Sequence, residues 1–336
     1  MKVKGYEIYV QFKNIEQKGN IESHNQPVKD KKKRICCFCR KGYPEVKFSD
    51  DAHAISEAIG NKCLFSHYEC DNCNHVFGEI FEDSFGKYMM PFKILTRTFG
   101  KSNKNIIKDK GNDELNYSNY RFQGNKNGSA LKETEVKEYL IEKSGNGMVD
   151  LEKDEITIPR QKYIPEYVYC ALLKMAYSII PIEDFQQYIC NFISLRQYAE
   201  KDKDKCILSD EEKELYIKGL PCKGILEKKG GVNPLNGVNV YLLKKVNSLE
   251  PGFDLLFLLE MKNYSFLIPV MPDNGMGDFS VNVVSDKADE IEIIDFRKVD
   301  QNLKSTLSKD RIEIPREYFP ELEEVLRANG LLKKKE

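Results

Sequence analysis

The sequence predicts an α+β protein of two units. A small cysteine-rich unit lies near the N-terminus, and a larger unit combines a helical hairpin with an antiparallel sheet. Three observations carry this. The chain has 336 residues, more than the roughly 100–200 that one domain usually takes. Of its ten cysteines, Cys36, Cys37, Cys39, Cys63, Cys70 and Cys73 crowd into one short window. Beyond Gly237 the apolar pattern turns from helical spacing to short β-branched and aromatic runs set off by turn residues.

Composition bounds the class. Hydrophobic residues make up 41% and charged residues 31%, which excludes a collagen, a membrane bundle and a wholly disordered chain. No apolar run reaches the roughly 18 residues a membrane helix needs. The first ten residues, MKVKGYEIYV, lack the apolar stretch of a signal peptide, so a cytoplasmic address is expected. The 52 Lys and Arg against 53 Asp and Glu hide an asymmetry. Residues 1–110 carry a net charge of +6 and the rest −7, and a basic N-terminal part suits contact with a polyanion.

In chain order, residues 1–34 read as an arm. It opens with a strand expected at Tyr6–Phe12 and ends in the basic run Lys31-Lys32-Lys33-Arg34. Residues 35–96 form the dense unit. Within it Val46–Ser49 and Cys63–His67 read as short strands. Asn74–Met90 reads as a helix with Phe77, Ile80, Phe81, Phe85 and Tyr88 on its apolar face. Residues 97–154, rich at first in Lys, Asn, Gly and Ser, read as a linker or long loop. The second unit spans 155–336. Glu155–Ile158 is a short strand. Ile164–Ile180 and Ile182–Ala199 are helices that pair as a hairpin, the first stopped by Pro181. Strands are expected at Val238–Val246, Phe253–Met261, Tyr264–Val270, Phe279–Val284 and Glu290–Asp295. A terminal helix at Arg316–Ala328 precedes Gly330. This second unit has no histidine and no catalytic signature; its Gly230-Gly231 and Asp273-Asn274-Gly275 are turn chemistry.

Two C-x-x-C knuckles, Cys36–Cys39 and Cys70–Cys73, stand 30 residues apart. In a reducing compartment such a cluster points to a metal and not to disulfides. Four thiolates suit a closed structural Zn²⁺ site. Cys37 is an alternative ligand, and Cys63 reads as a small apolar residue. An insert of this length between knuckles implies something folded there, in the order strand, loop, strand, helix.

This arrangement resembles the HNH endonuclease family with its ββα-metal fold, over about residues 35–96. The resemblance rests on the first knuckle, Ala52-His53-Ala54-Ile55, Gly60-Asn61, and Glu69-Cys70-Asp71-Asn72-Cys73-Asn74 followed by Phe77-Gly78. It implies hydrolysis of phosphodiester bonds with a divalent ion, Mg²⁺ or Mn²⁺, separate from the zinc. By the same resemblance His53 is the general base, Asn61 fixes the loop that aims it, and Asn74 offers its amide oxygen to the ion. The chain departs from the family at Ala52, where many members carry a metal ligand. Asp50 or Asp51, Glu82 and His75 are alternatives for that ligand, Asp51 because alternate strand residues share a face with His53 and Glu82 because it follows Asn74 by two helical turns. His67 reads as structural or surface.

Lys32, Lys33, Arg34, Lys62 and Lys87, with Lys93, Arg97, Lys101 and Lys104, are candidate phosphate contacts. DNA, or RNA, is the expected partner. The resemblance further suggests an effector of anti-phage defence or restriction, with the second unit binding a protein partner, an activator or another copy of the chain. The rival expectation is a zinc-containing subunit that binds nucleic acid or protein and catalyses nothing.

Overall fold

The computed structural model describes residues 1–17, 28–96, 149–150, 155–158, 163–201, 205–229, 237–247, 252–261, 264–272, 283–284, 288–297 and 310–313. Its centre is a six-stranded antiparallel sheet. The strands are β1 (Lys2–Val3), β2 (Tyr6–Phe12), β3 (Val149–Asp150), β4 (Glu155–Ile158), β5 (Lys223–Lys229), β6 (Val238–Lys245), β7 (Phe253–Met261), β8 (Tyr264–Pro272), β9 (Val283–Val284), β10 (Ala288–Asp295) and β11 (Asp310–Glu313). The large sheet runs β10-β5-β8-β7-β6-β2; β11-β4-β3 and β1-β9 form two smaller ones.

The central strands explain their own position. Leu255, Leu256, Phe257, Leu258 and Leu259 of β7 are all buried, so this strand is covered on both faces and reads as a continuous apolar run instead of an alternation. Its neighbours hold it in register, with Leu242 of β6 and Ile268 of β8 both opposite Phe257.

The expected strand at residues 6–12 forms, and it is the edge strand of this sheet, paired antiparallel with β6 from Tyr6↔Lys245 to Phe12↔Val240. The N-terminal residues are therefore woven into the second unit's sheet. β3 lies inside the segment expected to be a linker and pairs with β4.

The helices are α1 (Asp71–Phe77), a π-turn at Gly78–Glu82, α2 (Asp83–Thr96), α3 (Pro165–Ser178), α4 (Ile189–Tyr198) and α5 (Asp210–Gly219). Pro165 sits in the first turn of α3, where its missing N–H costs nothing. From Val168 to Ser178 every residue of α3 is buried, the mark of a helix at the centre of a fold. α5 went unpredicted because its surface is polar. Its signal is the capping box, in which Ser209 accepts from the Glu212 N–H and Glu212 accepts from the Ser209 N–H.

One apolar core joins the two units. Phe38, from the first knuckle, meets Phe77 at 4.8 Å and Phe192 of α4 at 5.7 Å between ring centroids. Phe81 packs on Tyr167 of α3, and Tyr88 of α2 packs on Phe266 of β8. On the sheet side, the Tyr169 hydroxyl of α3 donates to the Pro269 carbonyl at 2.8 Å. The terminal helix expected at 316–328, most of 97–154, residues 279–282 of one strand, and the turns at 230–231 and 273–275 lie outside the described residues.

Candidate metal centre and active site

The first knuckle and the start of α1 bring four cysteines together. Cys36, Cys70 and Cys73 are fully buried, Cys39 is half-buried, and all four sulfurs lie within 4.8 Å of one another. Two of the separations, Cys36 to Cys73 and Cys39 to Cys70, are 3.7 Å. A tetrahedron of sulfurs at the usual Zn–S length of about 2.3 Å has edges of about 3.8 Å, so the four thiols fit zinc in number, chemistry and spacing. Cys37, the alternative ligand, is buried but stands outside the group. The thiols compete for protons. Hydrogen bonds from Cys36, Cys70 and Cys73 hold the Cys39 thiol far below its ordinary range, while the other three are pushed up.

The two strands expected in the insert are not continuous ladders. Between the knuckles the pairing shrinks to one antiparallel bridge, His53↔Phe65, flanked by Ala54 N–H to Leu64 O at 3.1 Å and Ser66 N–H to Ala52 O at 2.7 Å. Side chains replace the ladder. Asn61 is fully buried and uses its whole amide. It donates to Ile55 O at 2.7 Å and Leu64 O at 2.8 Å, and accepts from the N–H of Cys63 at 3.2 Å and of Leu64 at 2.9 Å. Asp71, at the start of α1, accepts from the N–H of Ser49 and Asp50, both at 3.0 Å. The main chain thus satisfies its donors without forming strands.

His53 and Phe65 form a non-hydrogen-bonded pair, which brings their side chains close, and their rings lie 5.0 Å apart. The imidazole is half-buried. Burial lowers its pKa below the ordinary value, with Lys174 adding to the shift and Glu57 and Glu82 opposing it. The neutral ring that results can take a proton at neutral pH.

Residues 36–90 match the HNH endonuclease family model. No curated protein matches the chain, and no solved structure does. The HNH match implies a nuclease, and it covers both knuckles, the bridge carrying His53, Asn61, α1 and most of α2's first turns.

Around this HNH segment the remaining site residues fall as follows. Asn74 is half-buried in α1, its backbone N–H on Cys70 O at 3.0 Å. Ala52 is buried and offers no ligand. Asp51 is exposed, and its charge acts on His67. His75 is exposed and meets Glu79 one turn on. Glu82, in the π-turn, accepts from Lys174 at 3.2 Å. Among the described residues, no further group of three His, Cys, Asp or Glu side chains gathers closely enough to share an ion. A magnesium site needs fewer, since Mg²⁺ keeps several waters and takes one or two protein oxygens beside those of its substrate.

The basic candidates divide. Lys32 and Lys33 are exposed, and Lys32 lies over the Tyr43 ring. Arg34 is buried and donates to Val28 O at 3.0 Å and His67 O at 3.4 Å, so it organises the first knuckle. Lys62 pairs with Glu57 at 3.1 Å and Lys87 with Asp83 at 2.5 Å. Arg97, Lys101 and Lys104, and the side chain of Lys93, lie outside the described parts.

Two buried cations that sequence reasoning passed over come from the second unit. Lys174 of α3 is fully buried and donates to the His53 carbonyl at 2.8 Å. It also stands 3.2 Å from Glu69 Oε2. Burial opposes its charge, but Glu69 and Glu82 outweigh burial and its pKa rises. Burial likewise pushes Glu69 up to about 7, against the pull of Lys174. Arg196 of α4 is buried and holds Glu200 at 2.9 Å; burial opposes its charge, but the neighbouring Cys73 and Glu200 outweigh burial and its pKa rises. A zinc held by four thiolates would carry a net −2, and the Arg196 guanidinium would offset part of that. The signal for Lys174 was present: a lone cation in Val168–Ile180 has no acid on its own helix within a turn.

Among the described residues no helix is long and apolar enough to cross a membrane.

Proposed function

We propose that the chain is a metal-dependent HNH endonuclease that hydrolyses phosphodiester bonds of DNA, with His53 as general base. The observation that carries this is the His53 bridge itself. A neutral, half-buried imidazole is held on a short hairpin braced by the four-hydrogen-bond lock of Asn61, beside a four-cysteine centre.

The chain's own residues do the following. The four cysteines would hold zinc, and their positions in the first knuckle and at the start of α1 would tie these two segments together. The His53 ring accepts a proton from the attacking water, and Asn61 keeps the loop behind it from shifting. Asn74 would offer its amide oxygen to a Mg²⁺ or Mn²⁺ ion, with Glu82 of the π-turn that follows α1 as a further candidate oxygen. Such an ion supplies stabilisation of charge on the phosphate and leaving oxygen. The exposed Lys32 and Lys33 meet phosphates without reading bases. A cytoplasmic address fits ten cysteines, none of them in a disulfide. A nuclease without base readout requires restraint in its own cell. We place that restraint in the second unit, acting through a protein partner, an activator or a second copy, as in an anti-phage or restriction effector.

Ala52 favours a second reading, a zinc module that keeps the fold and binds without cutting. One experiment decides between them. Wild type and His53→Ala, both confirmed to carry zinc, are incubated with plasmid DNA and Mg²⁺ or Mn²⁺. Cutting by the wild type that falls by about 10²–10⁴-fold in the variant, the usual worth of a general base, establishes the nuclease. The acid limb of the rate profile then lies below the ordinary imidazole value of about 6.5, because the depressed pKa keeps the base neutral to lower pH. Binding without cutting, in protein activated by its partner, leaves the second reading.

A further inference from the structure

We propose that Lys174, on α3 of the second unit, is a positioning residue for His53, anchoring the backbone of the base from across the interface. This rests on the nuclease reading.

In the His53↔Phe65 bridge the inward hydrogen bonds belong to the neighbours, Ala54 to Leu64 and Ser66 to Ala52. His53 is therefore in the wide pair, whose own N–H and C=O point away from the partner strand. Its carbonyl has no acceptor role inside the hairpin. Lys174 supplies the donor at 2.8 Å.

The ammonium donates to the His53 carbonyl and to Glu82 Oε1, and forms an ion pair with Glu69 Oε2 at 3.2 Å. Glu69 immediately precedes the second knuckle and Glu82 lies in the π-turn after it. One buried nitrogen thus ties together the base hairpin, the knuckle and the helix that carries Asn74. An apolar side chain would pack on this helix at lower desolvation cost, and the rest of α3 is apolar or small there. What a buried cation provides here is a link between the base's backbone and the two acids, through hydrogen bonds to the His53 carbonyl and Glu82 and an ion pair with Glu69. The π-turn places Glu82 at this junction, and such turns recur at functional sites. The arrangement also makes α3 part of the site, so any movement of the second unit's helices acts on the base directly.

Removing the amine alone leaves Glu69 buried and unpaired, which alone can unfold the unit. The test therefore compares Lys174→Met/Glu69→Gln with Glu69→Gln, in the full chain, each checked for zinc content and melting temperature. Two readouts are taken. One is amide exchange at Ala54 and Ser66, which flank the base. The other is kcat and KM for cleavage. The expected result in the double variant is about tenfold faster exchange at these two amides, in line with a lost hydrogen bond to a charged group, with β7 and β8 unchanged. kcat should fall by a similar factor while KM stays within about threefold, since a buried residue does not touch DNA.

Unchanged exchange in folded, zinc-loaded double variant overturns the proposal, and so does faster exchange without a fall in kcat. If the wild type does not cut at all, the nuclease reading fails by itself, and exchange alone decides whether Lys174 anchors the hairpin.

Discussion

The HNH segment and the large sheet are held together by different means. β7 and its neighbours bury Leu, Phe, Ile and Val on both faces and satisfy their backbone in continuous ladders. Between residues 35 and 70 there is no ladder longer than a single bridge. There the main chain is held by particular groups: four thiols, one asparagine, one aspartate, one lysine and one arginine. Stability in the sheet scales with area, and many small changes share the load. In the HNH segment it is concentrated in a few polar atoms, each without a substitute. Rigid placement of a catalytic group favours the second arrangement, because buried hydrogen bonds fix both distance and direction.

The largest test of this contrast is to strip the metal. Structural zinc contributes about 10–16 kcal/mol in small zinc-finger peptides at neutral pH, far more than a short segment without ladders can replace. With a strong chelator, amide protection should vanish in α1 and at Ala54 and Ser66, while β6, β7 and β8 keep theirs. Simultaneous loss in all of them would show that the shared core makes one cooperative unit, and the contrast would then fail.

The converse change is Phe257→Ala, at the middle of β7 between Leu242 and Ile268. Large-to-small changes at fully buried aromatics cost about 3–5 kcal/mol. The urea midpoint should fall accordingly, with zinc content unchanged at low denaturant. A zinc site that empties in this folded variant would mean that the sheet supports the knuckles more than the thiols do.

What the sequence made legible follows the same division. Phe253–Met261 and Glu155–Ile158 are strands with the expected bounds, because runs of β-branched and aromatic residues report burial directly. The knuckles were legible because spacing alone brings four sulfurs together. The two strands expected beside His53 were not there to be found. Val46–Ser49 and Cys63–His67 carry strand-like residues, yet Asp71 and Asn61 take the backbone donors that a ladder needs, and periodicity does not register a side chain that outcompetes a strand. Arg34 looked like part of a basic run, but its partners are carbonyls of Val28 and His67. His67 lies 33 residues on, beyond any local pattern. Lys174 was hidden for the same reason: its acids, Glu69 and Glu82, lie in the other unit, and a one-dimensional pattern shows a lone cation without showing its acid.

The smallest of the expected effects is the sharpest. Asn61→Ala removes one side chain and four hydrogen bonds. Buried groups left unpaired cost about 1–3 kcal/mol each, but the losses do not add. The Leu64 carbonyl keeps the Ala54 N–H, and half-buried Lys62 and Cys63 beside the loop let water reach the freed donors. The net expectation is about 2 kcal/mol, read as a lower urea midpoint with zinc retained. Cutting should suffer more than stability does, since the released carbonyls of Ile55 and Leu64 frame the hairpin that aims His53. If the variant loses less than about 0.5 kcal/mol, the level of an ordinary surface change, and cuts normally, then the thiols and Lys174 suffice to hold the base. The polar lock around Asn61 would then be a consequence of the loop's shape and not its cause.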